Sequence, residues 1–192
     1  VMNDQRKVIF SQRLKILKNK DAEETLSLFL DEILVNLEVA RQVYQKSKDE
    51  KEYLTSIKNS TGNIIADKEL ISIADLKQEE FTKIIKNYYL SQKKKRIDII
   101  GIDENKNIEK KLFLQIIDFA WRSHLQYLEQ LRQVIGLRSY GQKDPLSEFK
   151  KEAFTLFEGL LEKIKNDIIK FLLNLNIVVP DEVKNQGETE QR

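Results

Sequence analysis

Three stretches carry side chains able to do more than pack. In GLRSYGQKDP, residues 136–145, Tyr140 stands between two cations, Arg138 and Lys143, and two glycines, Gly136 and Gly141. An amphipathic ring held outward on a stiff stalk can press on chemically varied partners with little loss of side-chain entropy. A ring folded back on its own stalk would leave glycine to supply backbone freedom and the cations to solvate a plain turn; spacing admits both. His124 is the single histidine of the chain. With no nucleophile motif beside it, the expected role is a packed or hydrogen-bonded side chain rather than a general base. The run Lys93 to Arg96 has the form of a localisation or nucleic-acid patch, but it is expected to be the solvated cationic end of a helix, where the macrodipole favours positive charge.

Composition narrows the chemistry further. Thirty-three basic residues against thirty-one acidic ones leave a formal charge of +2, too balanced for binding driven by phosphate neutralisation, so no nucleic-acid partner is expected. Without cysteine there is no disulfide framework or thiolate site, and with one histidine a zinc site would rest almost wholly on carboxylates; no metal is expected. No catalytic constellation stands out. No run reaches the roughly 18 apolar residues of a membrane span, and the opening VMNDQRKVIF lacks the apolar stretch of a signal peptide. The chain is expected to be cytosolic and, opening on valine within a helical pattern, a piece of something longer.

These residues must be positioned by helices. Six glycines and two prolines in 192 residues are too few for the turns of a sandwich or barrel, so the fold class is all-α. Residues 1–19 form a polar helix with a modest apolar edge, Val8, Ile9 and Leu17. Asp21 and Glu24 have capping-box spacing before a strong stripe of Leu26, Phe29, Leu30, Ile33, Leu37, Ala40 and Tyr44. Residues 45–69 lose the periodicity and are expected to hold mixed short elements, with a turn at Gly62 and Asn63. A helical pattern resumes from Asp75. The most regular segment, 104–136, draws one seam through Leu114, Ile117, Trp121, His124, Leu128, Leu131 and Ile135, widened by Phe113, Ala120, Tyr127 and Val134. Asp144 and Pro145 then announce another helix, with a stripe of Phe149, Ala153, Leu156, Leu160, Ile164, Ile168, Phe171 and Leu175. Residues 136–145 therefore cap a helical hairpin. Its two helices need a third surface, for which the first helix is the candidate, with residues 45–103 as an outlying lobe.

The run FLQIIDFAWRSHLQYLEQLRQVIGLRSYGQKDPLSEFKKEAFTLFEGLLEKIKNDIIKFLL, residues 113–173, resembles the two-helix finger of the SecA family, the ATP-driven motors of bacterial preprotein translocation. NDQRKVIFSQR, residues 3–13, is similar to that family's long scaffold helix. The resemblance implies a helical scaffold over 1–34, a helical wing over 35–107, a scaffold and finger over 108–178, and a disordered linker over 179–192. It implies that Tyr140, Arg138 and Lys143 form a fingertip that meets the SecYEG channel and the unfolded preprotein, with acidic phospholipid a possible contact for the cations. Trp121, Leu128, Leu131, Phe149 and Leu156 would pack the scaffold, and the finger would also regulate ATP hydrolysis. No G-x-x-x-x-G-K-[ST] occurs, so no cofactor is expected in this chain. ATP and magnesium would belong to the motor domains of the longer protein, the preprotein cross-linking region would precede residue 1, and a cysteine-rich zinc tail would follow residue 192. The membrane association implied is peripheral. Two other readings stay open: a helical adaptor whose tip is a plain turn, and a basic nucleic-acid module using Lys93 to Arg96, Arg138 and Lys143.

Overall fold

The computed structural model describes residues 1–19, 22–138 and 144–179. Among them are seven helices and no strand: α1 (Met2–Lys18), α2 (Glu23–Ser47), α3 (Glu50–Thr61), α4 (Asp67–Ile73), α5 (Gln78–Ile100), α6 (Ile102–Arg138) and α7 (Pro145–Asn174). Local chemistry sets most of the boundaries. Helix α2 ends at Lys48, whose left-handed backbone (φ 57°) closes the last turn, and Asp49 at once opens α3 by accepting from the Glu52 N–H at 3.0 Å. Gly101, at φ 84°, is the whole connection between α5 and α6, so two long helices meet at a one-residue corner. Asp144 accepts from the backbone N–H groups of Leu146 and Ser147, with Pro145 in the first turn of α7. Asp21, the other expected cap, lies outside the described residues; α2 begins at Glu23, directly after Ala22.

The antiparallel pair α6 and α7 is the spine. Helix α1 lies along α6, while α2, α3 and α5 pack on α7. Residues 45–103 therefore do not stand off as an outlying lobe: Tyr53, Ile57, Phe81, Ile85 and Tyr89 share one apolar core with Phe113, Ile168 and Leu172. Fully burying such side chains contributes about 1.5–3 kcal/mol each, so the core favours joining these segments over leaving the hairpin bare. Within residues 45–69, where only short mixed elements are expected, α3 is a regular helix of 12 residues. It presents few apolar positions, and its order comes from what they touch. Tyr53 stacks on Tyr44 with ring centroids 4.6 Å apart, and its hydroxyl donates to the Leu70 carbonyl at 2.9 Å. Burial raises the phenol's pKa, since a phenolate there would be stripped of water.

The charge run also departs from expectation. Lys94 and Lys95 are exposed, but α5 continues to Ile100, and Arg96 is 2% exposed, among the most deeply buried side chains described. Its position continues the stripe Phe81, Ile85, Tyr89, Gln92, Arg96, which points into the core.

Candidate functional site: the hairpin and its braces

Helix α6, 37 residues long, and α7, 30 residues long, pair along their length into a stalk. Arg138 is the last residue of α6; Tyr140 and Lys143 lie outside the described residues. What the structure does show is how the stalk is held. Trp121 and Leu128 are buried on the seam of α6, Leu131 and Phe149 are half-buried toward the tip, and Leu156 is 39% exposed. The expectation that Leu156 packs the scaffold is corrected by Phe157, which takes the buried place one residue on. The reason is geometric. Helix α7 is covered by α6 on one side and by α3 and α5 on another, so its buried face centres on Phe157, Leu160, Ile164, Ile168 and Leu172, and a stripe drawn through Leu156 and Phe171 follows the edge. Tyr127 and Val134, read as widening the α6 seam, are likewise exposed.

That exposed edge lines a groove of about 490 Å³ along the flank of the hairpin, with Ile116, Phe119 and Tyr127 on one wall and Leu156 and Phe171 on the other. Gly159 lines it as well, and a Cβ there would meet nothing within 4 Å.

Three braces fix α1 to the hairpin. At the first, Gln5 donates through Nε2 to the Ala153 carbonyl of α7 at 3.0 Å, and its Oε1 lies 2.8 Å from His124 Nε2 on α6. Because Gln5 spends its amide N–H on Ala153, its oxygen is the acceptor and His124 is the donor, which fixes the imidazole with its proton on Nε2. Trp121 and Phe157 flank the ring at centroid distances of 5.6 and 5.8 Å. Burial lowers the His124 pKa, so the imidazole is held neutral. His124 is thus a structural histidine, as the sequence suggests. At the second brace Arg13 forks onto Asp118 at 2.9 and 3.4 Å. Both partners are about 40% exposed, so this pair sets orientation more than stability. At the third, Lys110 Nζ donates to the carbonyls of Leu17 and Asn19 at 3.2 and 2.9 Å, closing the C-terminal end of α1 with a cation.

Gln5, Asn105 and Glu109 are all buried, although no motif in the sequence singles them out. A signal for Gln5 exists, because Gln5, Ile9 and Ile16 fall on one face of α1. Among the described residues no group of three or more His, Cys, Asp or Glu is arranged to hold a metal, and no helix is long and apolar enough to cross a membrane.

Fold and braces together define a helical scaffold built around a long pair of packed helices. The sequence profile of the SecA wing and scaffold domain matches residues 1–176, and the chain belongs to that family. It is 45% identical over 93% of its length to the protein translocase subunit SecA of Pelagibacter ubique. To the same-named subunits of Rickettsia bellii and Hyphomonas neptunium it is 39% and 35% identical, over 92% of its length in each case. The chain spans about a fifth of the length of these relatives.

Proposed function

We propose that this chain is the wing, scaffold and finger portion of a SecA-type translocation motor, and that it carries nucleotide-driven movement to a preprotein at the hairpin tip. The family match from residue 1 to residue 176, continuous across scaffold helix, wing and hairpin, is the observation that supports this most. ATP and magnesium would be bound and turned over by motor domains outside these residues, so the chain by itself would be inactive as an ATPase. The scaffold surface of α1 and α6 would face those domains. The stalk suits the task in its packing: α1 braces it along one side and α2, α3 and α5 pack on another, so its base is held by four other helices. At the tip, Tyr140 would press on unfolded polypeptide without reading its sequence, while Arg138 and Lys143 would pair with acidic groups of the SecYEG channel mouth or of phospholipid. The cellular location that follows is the cytoplasm, with peripheral attachment to the inner membrane.

The test is Tyr140→Ser in the full-length protein, with ATP-dependent import of a preprotein into SecYEG vesicles as the readout. Import should fall several-fold while ATP hydrolysis without preprotein and the thermal unfolding curve stay unchanged. Import at the unsubstituted rate by a correctly folded variant removes the fingertip role.

A further inference from the structure

Where α5, α6 and α7 converge, the core is charged. Arg96 and Glu109 are 2% and 1% exposed at their side chains, with Arg96 Nη2 3.5 Å from Glu109 Oε1. Arg96 Nε donates to Asn105 Oδ1 at 3.0 Å and Nη1 to the Leu172 carbonyl at 2.6 Å, while Asn105 Nδ2 donates to Glu109 Oε1 at 3.0 Å. One guanidinium in the last turns of α5 thus touches the first turns of α6 and the last turn of α7, beside the one-residue corner at Gly101.

Stability does not explain this cluster. Arg96 Nη2 and Glu109 Oε2 have no hydrogen-bond partner, and a buried ion pair left partly unsatisfied is commonly no better than well-packed apolar side chains of the same volume. Geometry does explain it. Apolar contacts are non-directional and fix the angle between packed helices only through shape, whereas the planar guanidinium directs its donors along fixed lines. Here those lines end on two other helices, so a change in the angle between any two of the three breaks a bond in a place where no water replaces it.

We propose that Arg96, Asn105 and Glu109 form a buried registry lock, which holds the α5–α6 corner to the end of α7 and makes the wing helices and the hairpin turn as one body. In this arrangement Arg96 is a positioning residue. The lock rests on packing alone and stands independently of what the hairpin tip meets, so its failure would leave the translocation reading untouched.

The chain has no cysteine, so Lys86→Cys on α5 and Glu158→Cys on α7, both exposed, give one spin-label pair. In the otherwise unchanged chain the distance distribution should be single and narrow. The double variant Arg96→Met/Glu109→Leu, which fills the same space without charge, should melt within about 4 °C of the parent. Its label distribution should nevertheless broaden, and amides 169–174 should exchange about tenfold faster, the equivalent of one charged hydrogen bond. Arg96→Lys, which keeps the charge but loses the fork, should broaden it as well. Unchanged width and exchange in the double variant overturn the proposal. So does a double variant that fails to fold, because the cluster would then be a stability element.

Discussion

Exchanging Gln5 for leucine isolates the brace at the centre of the scaffold. Gln5 is 6% exposed and His124 4%, so nothing from solvent replaces what is lost. Gln5→Leu keeps the volume but strands the His124 Nε2–H, at about 1–3 kcal/mol for a buried unsatisfied donor, and removes the bond to Ala153, worth about 1 kcal/mol. The expected loss is about 3 kcal/mol, which in a chain of this size lowers Tm by about 6–12 °C. Adding His124→Leu removes the stranded donor, so the double variant should recover to within about 1 kcal/mol of the parent. Urea unfolding at pH 7 followed by circular dichroism measures both. A second arm uses pH. The folded-state pKa of His124 is lowered, so below the ordinary histidine value of 6.5 the unfolded chain takes up a proton that the folded chain refuses. The contribution is therefore complete above that value and is lost as pH falls through it toward the lower folded-state pKa; the double variant should lack this slope. Equal losses in single and double variants, or a single variant within about 0.5 kcal/mol of the parent, would refute the reasoning.

Two further outcomes follow from burial and backbone geometry. Phe113→Ala, at a ring with no exposure that stacks on Phe29 at 5.6 Å, should cost about 3–5 kcal/mol in urea unfolding, against no more than about 0.5 kcal/mol for Phe119→Ala on the groove wall. Gly62→Ala should destabilise more than Gly101→Ala in thermal unfolding: both sites have positive φ, but only at Gly62 would the new Cβ meet a neighbour, the Asn174 amide at 2.6 Å. That amide donates to Thr61 and Lys170 carbonyls at 2.8 and 2.7 Å, so it does not move aside freely.

The wing shows most clearly where a linear reading stops. A run of four cations looks the same whether its last member is in water or in the core, and only the register of Phe81, Ile85, Tyr89 and Gln92 reveals that Arg96 faces inward. Helix α3 escaped for the opposite reason. Tyr53 and Ile57 are its only buried apolar side chains, too few to draw a stripe, and α7, Tyr44 and Leu70 contribute to their environment. The fingertip trio is a different case: residue types and spacing draw attention to it, resemblance alone makes it a contact site, and Tyr140 and Lys143 lie outside the described residues.

By itself the sequence determined that this chain is helical, where α2, α6 and α7 run, how Asp144 and Pro145 start the last helix, and which family it belongs to. Those properties are local or additive: caps act over one turn, and periodicity records that a helix has an apolar face. Tertiary structure alone decided which neighbour each face meets, and with it the choice of Phe157 over Leu156, the joining of the wing to α7, and the partners that Gln5 and Arg96 find inside. These depend on directions between helices distant in sequence, and no pattern within one helix encodes the position of another.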